Sequence, residues 1–202
     1  MGEAGLESET GSERASFGAS DEELVRIVRE APEGDLRAFE VLVERYRKKV
    51  LSNCRHITRE PSHAEDLAQE VFVKVYFGLA RFEGRAAFRS WMQRIKVNHC
   101  LNFLKKRGDR QTLDIEDPAV SEEAERTISS SLREKMEMDS ECEQVNLVLD
   151  SLSDGLRIPL IMRDMDGLSY EEIARTLGIG LSAAKMRIKR GREQFQMRYH
   201  AD

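Results

Sequence analysis

The most specific local pattern in the chain is SYEEIARTLGIGLSAAKMRIKRGR, residues 169–192. Ser169 and Glu172 have the spacing of a capping box, which predicts the start of a short helix. The run Gly-Ile-Gly at 178–180 then breaks the chain for about one turn, and a helix rich in lysine and arginine follows. A short helix, a glycine-containing turn and a basic helix together predict a helix-turn-helix.

The second helix of this motif places Lys185, Met186, Lys189 and Arg190 on one face. Lysine and arginine can bond guanine edges in the major groove, and methionine can contact thymine methyl groups. This face therefore predicts a surface that reads DNA. The alternative is an amphipathic surface helix whose basic side chains are only solvated.

Upstream of the motif, apolar residues recur at helical spacing in four segments before residue 108. Capping boxes at residues 20–23 and 62–65 predict the starts of two of these helices. The last of the four is predicted to run over residues 88–106. No segment has the alternating pattern of a strand, so the sequence predicts an all-α protein with two small helical domains, a four-helix N-terminal one and a helix-turn-helix C-terminal one.

Charge divides the chain more sharply than its net value of −5 over 202 residues indicates. Residues 80–108 carry eight basic and one acidic side chain, whereas residues 109–150 carry four and thirteen. We predict a disordered acidic tail at 1–19, a domain at 20–108, an acidic linker at 109–139 and a domain at 140–202.

Composition also bounds the cellular setting. No apolar run approaches the ~20 residues of a membrane helix, and the N-terminus lacks a basic start followed by an apolar core. We therefore expect no membrane insertion and a cytoplasmic location. Cys54, Cys100 and Cys142 are too few and too far apart for a disulfide framework, so we interpret them as reduced thiols, most simply buried ones.

The basic segment carries a polar stripe along one helix. Its members stand at four-residue steps and are Arg94, Asn98, Asn102 and then Lys105 or Lys106. Amides can read base edges while cations hold phosphates. In the preceding loop, Phe82 with Gly84 and Arg85 could accept a base that has left the stack. The alternative is that the aromatics are ordinary core and the cations a solvated face; for Phe88 and Trp91 we favour the core.

A third signal is the acidic patch formed by Asp66, Gln69 and Glu70 inside an otherwise basic domain. A negative patch is unsuited to DNA and suited to a basic protein surface. The alternative is that Glu70 forms an exposed pair with Lys74, four residues along the helix.

Together these motifs resemble a bacterial RNA polymerase sigma factor of the extracytoplasmic-function (ECF) type, in the sigma-70 family. The resemblance rests on AEDLAQEVFVKVY (64–76), FEGRAAFRSWMQRIKVN (82–98), DGLSYEEIARTLGI (166–179) and KMRIKRGR (185–192). It implies a region 2 domain for promoter opening and a region 4 helix-turn-helix domain. The implied partners are core RNA polymerase, through its β′ coiled coil and β flap, promoter DNA and an anti-sigma factor.

The resemblance also implies a role for individual residues. The implied polymerase-docking residues are Asp66, Gln69, Glu70 and Phe72. The implied −10 element contacts are Phe82, Gly84, Arg85, Arg89, Arg94, Asn98, Asn102, Lys105 and Lys106. The implied −35 element contacts are Ala183, Lys185, Met186, Arg187, Lys189 and Arg190. Ala183 stands where the family usually has a threonine hydroxyl for a phosphate, and Pro159 lies inside a predicted helix, where it can produce a kink.

An enzyme and a DNA-binding regulator are the two alternative classes of function. An enzyme would need converging nucleophile, base or metal ligands, and the histidines are scattered; Cys54 with His56, and His99 with Cys100, have poor geometry for a shared metal. We therefore expect neither catalysis nor a cofactor. A helix-turn-helix regulator that acts without polymerase docking is the closer alternative, but it would not need the acidic patch or the basic aromatic loop.

Overall fold

The structure is a computed structural model that describes residues 18–107 and 141–201. Within these two ranges the chain forms eight α-helices and no strands, which confirms the all-α prediction. The predicted linker at 109–139, and all but the end of the predicted tail, lie outside the described residues. No helix in the described part is long and apolar enough to cross a membrane.

Four helices form the N-terminal unit. They are α1 (Asp21–Glu30), α2 (Arg37–Thr58), α3 (Ala64–Leu79) and α4 (Phe88–Lys106), with a 3-10 turn at Pro61–His63 before α3. The capping box at the start of α1 is confirmed, because the Ser20 side chain accepts a bond from the Glu23 backbone and the Glu23 carboxylate accepts one from the Ser20 backbone.

The capping box predicted at 62–65 is wrong. The residue before α3 is His63, and no side chain caps that helix. Pro61 instead opens the 3-10 turn, so Ser62 lies within that turn and its Oγ lies 3.1 Å from His63 Nδ1. The physical reason is that the proline starts helical backbone one residue too early for Ser62 to act as a cap.

The C-terminal unit contains α5 (Glu141–Ser151), α6 (Asp154–Leu160), α7 (Tyr170–Leu177) and α8 (Leu181–Tyr199). Ser169 and Glu172 form the predicted capping box at α7, and Gly178 ends that helix in the left-handed region with φ of +68°. A π-helical turn, Ile161–Met165, follows α6 directly. Pro159 has no N–H to donate within α6, and the widening of the helix just after it agrees with the predicted distortion.

One continuous apolar core joins the two units. Fully buried side chains of the N-terminal unit, such as Leu42, Val50 and Phe88, belong to the same cluster as Ile161 and Ile173 of the C-terminal unit. A smaller cluster of the C-terminal unit contains Leu149, Leu152 and Leu160. The helix-turn-helix therefore packs on the four-helix unit.

The cysteine interpretation holds where the structure can test it. Cys54 of α2 and Cys100 of α4 are both fully buried thiols, and their sulfur atoms lie 3.6 Å apart. The side chain of Cys142 lies outside the described part of the chain.

Candidate protein and nucleic-acid interfaces

The exposed face of α3 carries the predicted acidic patch. Asp66, Gln69 and Glu70 are exposed, and the opposite face of the same helix packs into the core. Phe72 is placed differently from the other three, because only 9% of it is accessible and it belongs to the core cluster. The structure therefore brings three of the four implied docking residues together on the surface and puts the fourth beneath them.

Two exposed apolar residues extend this face, and the sequence analysis missed them. Val73 is 54% exposed and Phe77 is 73% exposed. They stand three and seven residues after Glu70, so they continue its stripe along α3. Helical periodicity could have identified them, because both residues fall outside the buried stripe that contains Val71 and Val75. An acidic patch beside exposed aromatic and aliphatic side chains is typical of a protein-binding surface.

Glu70 also contacts α4. Its Oε2 lies 2.9 Å from His99 Nε2, and this pair takes the place of the Glu70 to Lys74 pair that we weighed. Burial lowers the pKa of His99, and the nearby Lys74 charge lowers it further while Glu70 opposes the shift. The contact places the Glu70 carboxylate beside α4, while the Glu70 side chain remains 62% exposed.

The polar stripe of α4 faces solvent. Asn98, Asn102, Lys105 and Lys106 are exposed and Arg94 is half-buried, while Met92, Val97, Leu101 and Leu104 hold the other side of the helix in or against the core. Arg89, at the start of α4, is also exposed. Its guanidinium lies against Gly167 of the C-terminal unit, where an added Cβ would be 3.4 Å from Nη2. The stripe thus presents cations and amides to solvent.

The loop before α4 differs from the expectation of an accessible aromatic ring. Phe82 is only 7% exposed, and its ring centroid lies 4.9 Å from that of Trp91. Its neighbour Phe88 is fully buried, in agreement with the core interpretation of that residue. Gly84 and Arg85 remain exposed, and Gly84 has φ of +72°. Phe82 therefore anchors the loop, and the exposed part of the loop is its glycine and arginine.

The basic helix α8 has an exposed basic face, which we call the reading face after its predicted role, and a packing face. Lys185, Met186, Lys189 and Arg190 are exposed, and Ala184 and Ile188 on the other side are buried. Arg187 falls on the buried side, where it is 6% exposed and where burial lowers its pKa. Ala183 is half-buried. Arg187 thus lies apart from the exposed −35 candidates, because it stands three residues after Ala184 and shares the buried side of the helix with it.

Contacts with the rest of the C-terminal unit hold α8 in place. Arg192 makes a two-pronged bond to Asp164, with Nε 2.9 Å and Nη2 2.5 Å from the carboxylate oxygens. Gly191 lies against α6, where an added Cβ would be only 3.2 Å from the Leu156 carbonyl oxygen. These contacts orient the reading face relative to α6 and the π-helical turn after it.

Comparisons with known families match both halves of the chain. The family described as Sigma-70 region 2 matches residues 42–110, and Sigma-70, region 4 matches residues 142–195. The RNA polymerase sigma-H factor of Pseudomonas aeruginosa is 33% identical over 176 residues, which cover 83% of this chain and 89% of that protein. The ECF RNA polymerase sigma-E factor of Escherichia coli is 35% identical over 174 residues, with the same coverage of 83% and 89%.

Solved structures agree on the fold. The structure of CnrH in complex with the cytosolic domain of CnrY has a TM-score of 0.58 and 24% identity, and it covers 90% of this chain and 98% of that one. The sigma factor RpoE in complex with the anti-sigma factor NepR from Bartonella quintana has a TM-score of 0.59 and 20% identity, with coverage of 81% and 98%. At these identities the likeness shows the fold alone, and the sequence relatives carry the family.

Two matched regions in the family's order, and relatives of about one-third identity along most of the chain, leave the helix-turn-helix regulator without support. The chain therefore belongs to the sigma-70 family of non-catalytic transcription initiation factors, as an ECF-type RNA polymerase sigma factor that binds core polymerase and directs transcription initiation from specific promoters.

Proposed function

We propose that this sigma factor divides its work among three surfaces. The exposed face of α3 docks on the β′ coiled coil of core polymerase, the α4 stripe with the loop before it binds the −10 element, and α8 binds the −35 element. The domains that carry these surfaces span residues 20–108 and 140–202, joined by a linker at 109–139. The observation that carries the proposal is the arrangement of α8, whose basic reading face is exposed while its apolar face packs.

On α3, the exposed acidic side chains complement a basic partner surface, and Val73 and Phe77 supply apolar area beside them. Phe72 supports the face from the core. Glu70 also lies beside His99, and this contact restricts the positions of its carboxylate before docking. Orientation in advance lowers the entropy that binding must take from the side chain.

On α4 and its loop, Asn98 and Asn102 read bases, and the neighbouring cations hold the phosphates of the separated strand. Gly84 and Arg85 receive an unstacked base at the surface of the loop, and Phe82 fixes the loop to Trp91. Unstacking takes a few kcal/mol per base step, so contacts with the trapped base offset part of the free energy of opening.

On α8, Lys185 and Arg190 bond base edges or phosphates and Met186 contacts thymine methyl groups, while Arg187 positions the helix from its buried side.

Region 4 also contacts the β flap of the polymerase. The protein acts in the cytoplasm with the polymerase, and an anti-sigma factor holds it in check. The structural neighbour RpoE was solved in complex with the anti-sigma factor NepR, and CnrH in complex with the cytosolic domain of CnrY, which supports this last step.

The decisive experiment is transcription in vitro with sigma-free core polymerase and a pool of native promoter fragments. The wild-type chain should co-purify with core polymerase and produce promoter-specific transcripts. Glu70→Lys reverses the charge at the centre of the docking face and should weaken core binding at least tenfold. Glu44→Lys makes the same charge change on the exposed face of α2 and serves as the matched control. Normal holoenzyme assembly by Glu70→Lys would contradict the docking surface.

A further inference from the structure

The contact between the two helical units contains a buried ion pair. Lys96 of α4 and Asp166, which follows the π-helical turn, are both fully buried, and Lys96 Nζ lies 2.6 Å from Asp166 Oδ2. Asn53 of α2 donates from Nδ2 to the other oxygen, Oδ1, at 2.6 Å. Both oxygens of the carboxylate are therefore bound, and both donors come from the N-terminal unit.

Further polar contacts cross the same boundary. They are Arg157 Nη2 to the Ile57 carbonyl oxygen at 3.3 Å, His56 Nδ1 to Asp150 Oδ1 at 2.9 Å, and Arg59 to the Leu152 carbonyl oxygen. Two polar atoms at this boundary, Asn53 Oδ1 and Arg157 Nε, are buried without a hydrogen-bond partner. They gain one from water when the units separate.

This chemistry makes the contact specific, and easier to reverse than an entirely apolar contact would be. Taking two charges out of water costs free energy, and their attraction inside the protein roughly offsets that cost. Removal of one partner is different, because it leaves the other charge buried and uncompensated. Lys96 and Asp166 therefore favour one geometry strongly over near alternatives, while separation returns both charges to water.

The closed arrangement conflicts with simultaneous binding of both promoter elements. A compact body of the described size has a radius of gyration of about 15 Å and a breadth of about 40 Å. Elements centred near −35 and −10 lie about 25 base pairs apart, or ~85 Å along B-form DNA at about 3.4 Å per base pair. Residues 108–140 number 33, enough chain to reach up to about 110 Å, so the two units can separate that far.

We propose that the cluster of Lys96, Asp166 and Asn53, hereafter the latch, holds the free sigma factor closed and opens when core polymerase draws the two units apart. The latch sets the distance between the two units and does not cover the docking face of α3 or the reading face of α8. In the closed form the docking face of α3 and the reading face of α8 are both exposed. The need for opening rests on the proposed function, whereas the latch itself rests only on the geometry.

The latch makes a prediction that ordinary interface residues do not. Lys96→Met leaves Asp166 buried without its cation, and Asp166→Asn leaves Lys96 without its anion. Each single variant should shift the balance between closed and open forms toward open by about 100-fold or more. The double variant Lys96→Met/Asp166→Asn leaves no unpaired charge at the position of the ion pair, so it should be as closed as the wild type or more so.

The test measures the full chain in two ways. Small-angle scattering reports the radius of gyration, which rises up to roughly twofold if the units separate. Binding to core polymerase reports the competent fraction, because the apparent Kd falls as that fraction grows. Each single variant should give a larger radius and a Kd at least about threefold tighter, and the double variant should return both values to those of the wild type or beyond.

The controls remove the same charges elsewhere. Lys48→Met changes an exposed lysine of α2, and Glu171→Gln neutralises an exposed carboxylate of α7; both should match the wild type. Circular dichroism checks helicity, and if one single variant unfolds, the other single variant and the double variant carry the test.

Several outcomes would overturn the latch. These are single variants as compact as the wild type, a double variant as open as the singles, or controls that open equally. A wild-type chain that is already extended would overturn it as well. Failure of every chain to bind core polymerase would count against the proposed function, and scattering would still decide the latch.

Discussion

Gly191 is a point of close approach between α8 and α6. The structure therefore predicts whether an alanine there raises or lowers the free energy of unfolding. A Cβ at this position would lie 3.2 Å from the Leu156 carbonyl oxygen and 3.6 Å from Leu160 Cβ. That oxygen belongs to the backbone of a helix, so it cannot rotate away as a side chain would. Alanine for glycine inside a helix normally gains about 1 kcal/mol, whereas overpacking costs about 1 to 3 kcal/mol. We therefore expect Gly191→Ala to change stability by between zero and about −2 kcal/mol.

Gly155→Ala supplies the matched comparison. Gly155 lies in α6, and nothing lies within 4 Å of the position that its Cβ would take. This variant gains helix propensity without a clash, so it should stabilise the protein by up to about 1 kcal/mol. The two substitutions are chemically identical, and they should differ by about 1 to 3 kcal/mol because of the contact with α6.

Thermal and urea unfolding of the full chain, followed by circular dichroism at 222 nm, measures the difference. For a chain of this size each kcal/mol shifts Tm by about 2 to 4 °C. A Gly191→Ala variant that is stabilised as much as Gly155→Ala would refute the close approach. A destabilised variant should also bind −35 DNA less well in the holoenzyme, because α8 carries the reading face and its orientation depends on this contact.

Two further predictions concern α8 and His99. Arg190→Ala should reduce the preference of the holoenzyme for its −35 element by about 1 to 3 kcal/mol and leave core binding unchanged, measured by competition against a scrambled element with Arg175→Ala on α7 as the control. An unchanged preference would mean that we assigned the wrong residues of α8 to the reading face. The pKa of His99 is lowered on folding, so the unfolded chain binds more protons and stability falls as pH drops below about 6.5. His99→Gln should remove this part of the pH dependence and the exposed His63→Gln should not, measured by urea unfolding between pH 5 and 8; equal curves for the two variants would contradict the assignment.

The parts of the fold that were predictable are those fixed by local chemistry. The helix-turn-helix could be read because a left-handed turn at Gly178 and a capping box at Ser169 are encoded within a few residues. The same reasoning failed at 62–65, where Pro61 started a 3-10 turn and displaced the helix start. The capping-box spacing alone does not take account of a proline one residue before the candidate cap. Such a proline can start a helical turn early and leave the candidate cap inside that turn.

The surfaces were predictable only in part, because exposure depends on what packs behind each helix. The reading face of α8 followed from helical periodicity, but the burial of Arg187 depends on how α8 packs against its neighbours. Phe82 looked like a ring available to a base because it precedes a basic helix. Its contact with Trp91 depends on the loop folding back on α4, which no local pattern specifies.

The latch was beyond the reach of the sequence for the same reason. Lys96 and Asp166 are 70 residues apart, and each is an ordinary charged residue in its own segment. Lys96 is one of the eight basic residues of the segment that we predicted to bind DNA. In the structure its ammonium group is buried and paired with Asp166. Only the packing of the two units on each other shows that one lysine of the segment faces inward.

The size of the two units explains why a charged contact suits this protein. A unit of about 60 residues buries only about 60% of the surface of its unfolded chain, and it is marginally stable alone. Packing on the N-terminal unit adds burial that stabilises the free protein, but the same packing must be given up for the two units to reach both promoter elements. An entirely apolar contact would keep the stabilisation and oppose the separation in full. A contact that buries a lysine and an aspartate, with two polar atoms left unsatisfied, keeps the closed geometry while the charges regain water on opening. The free energy that core polymerase must supply to open the chain is therefore smaller than the buried apolar area alone would indicate.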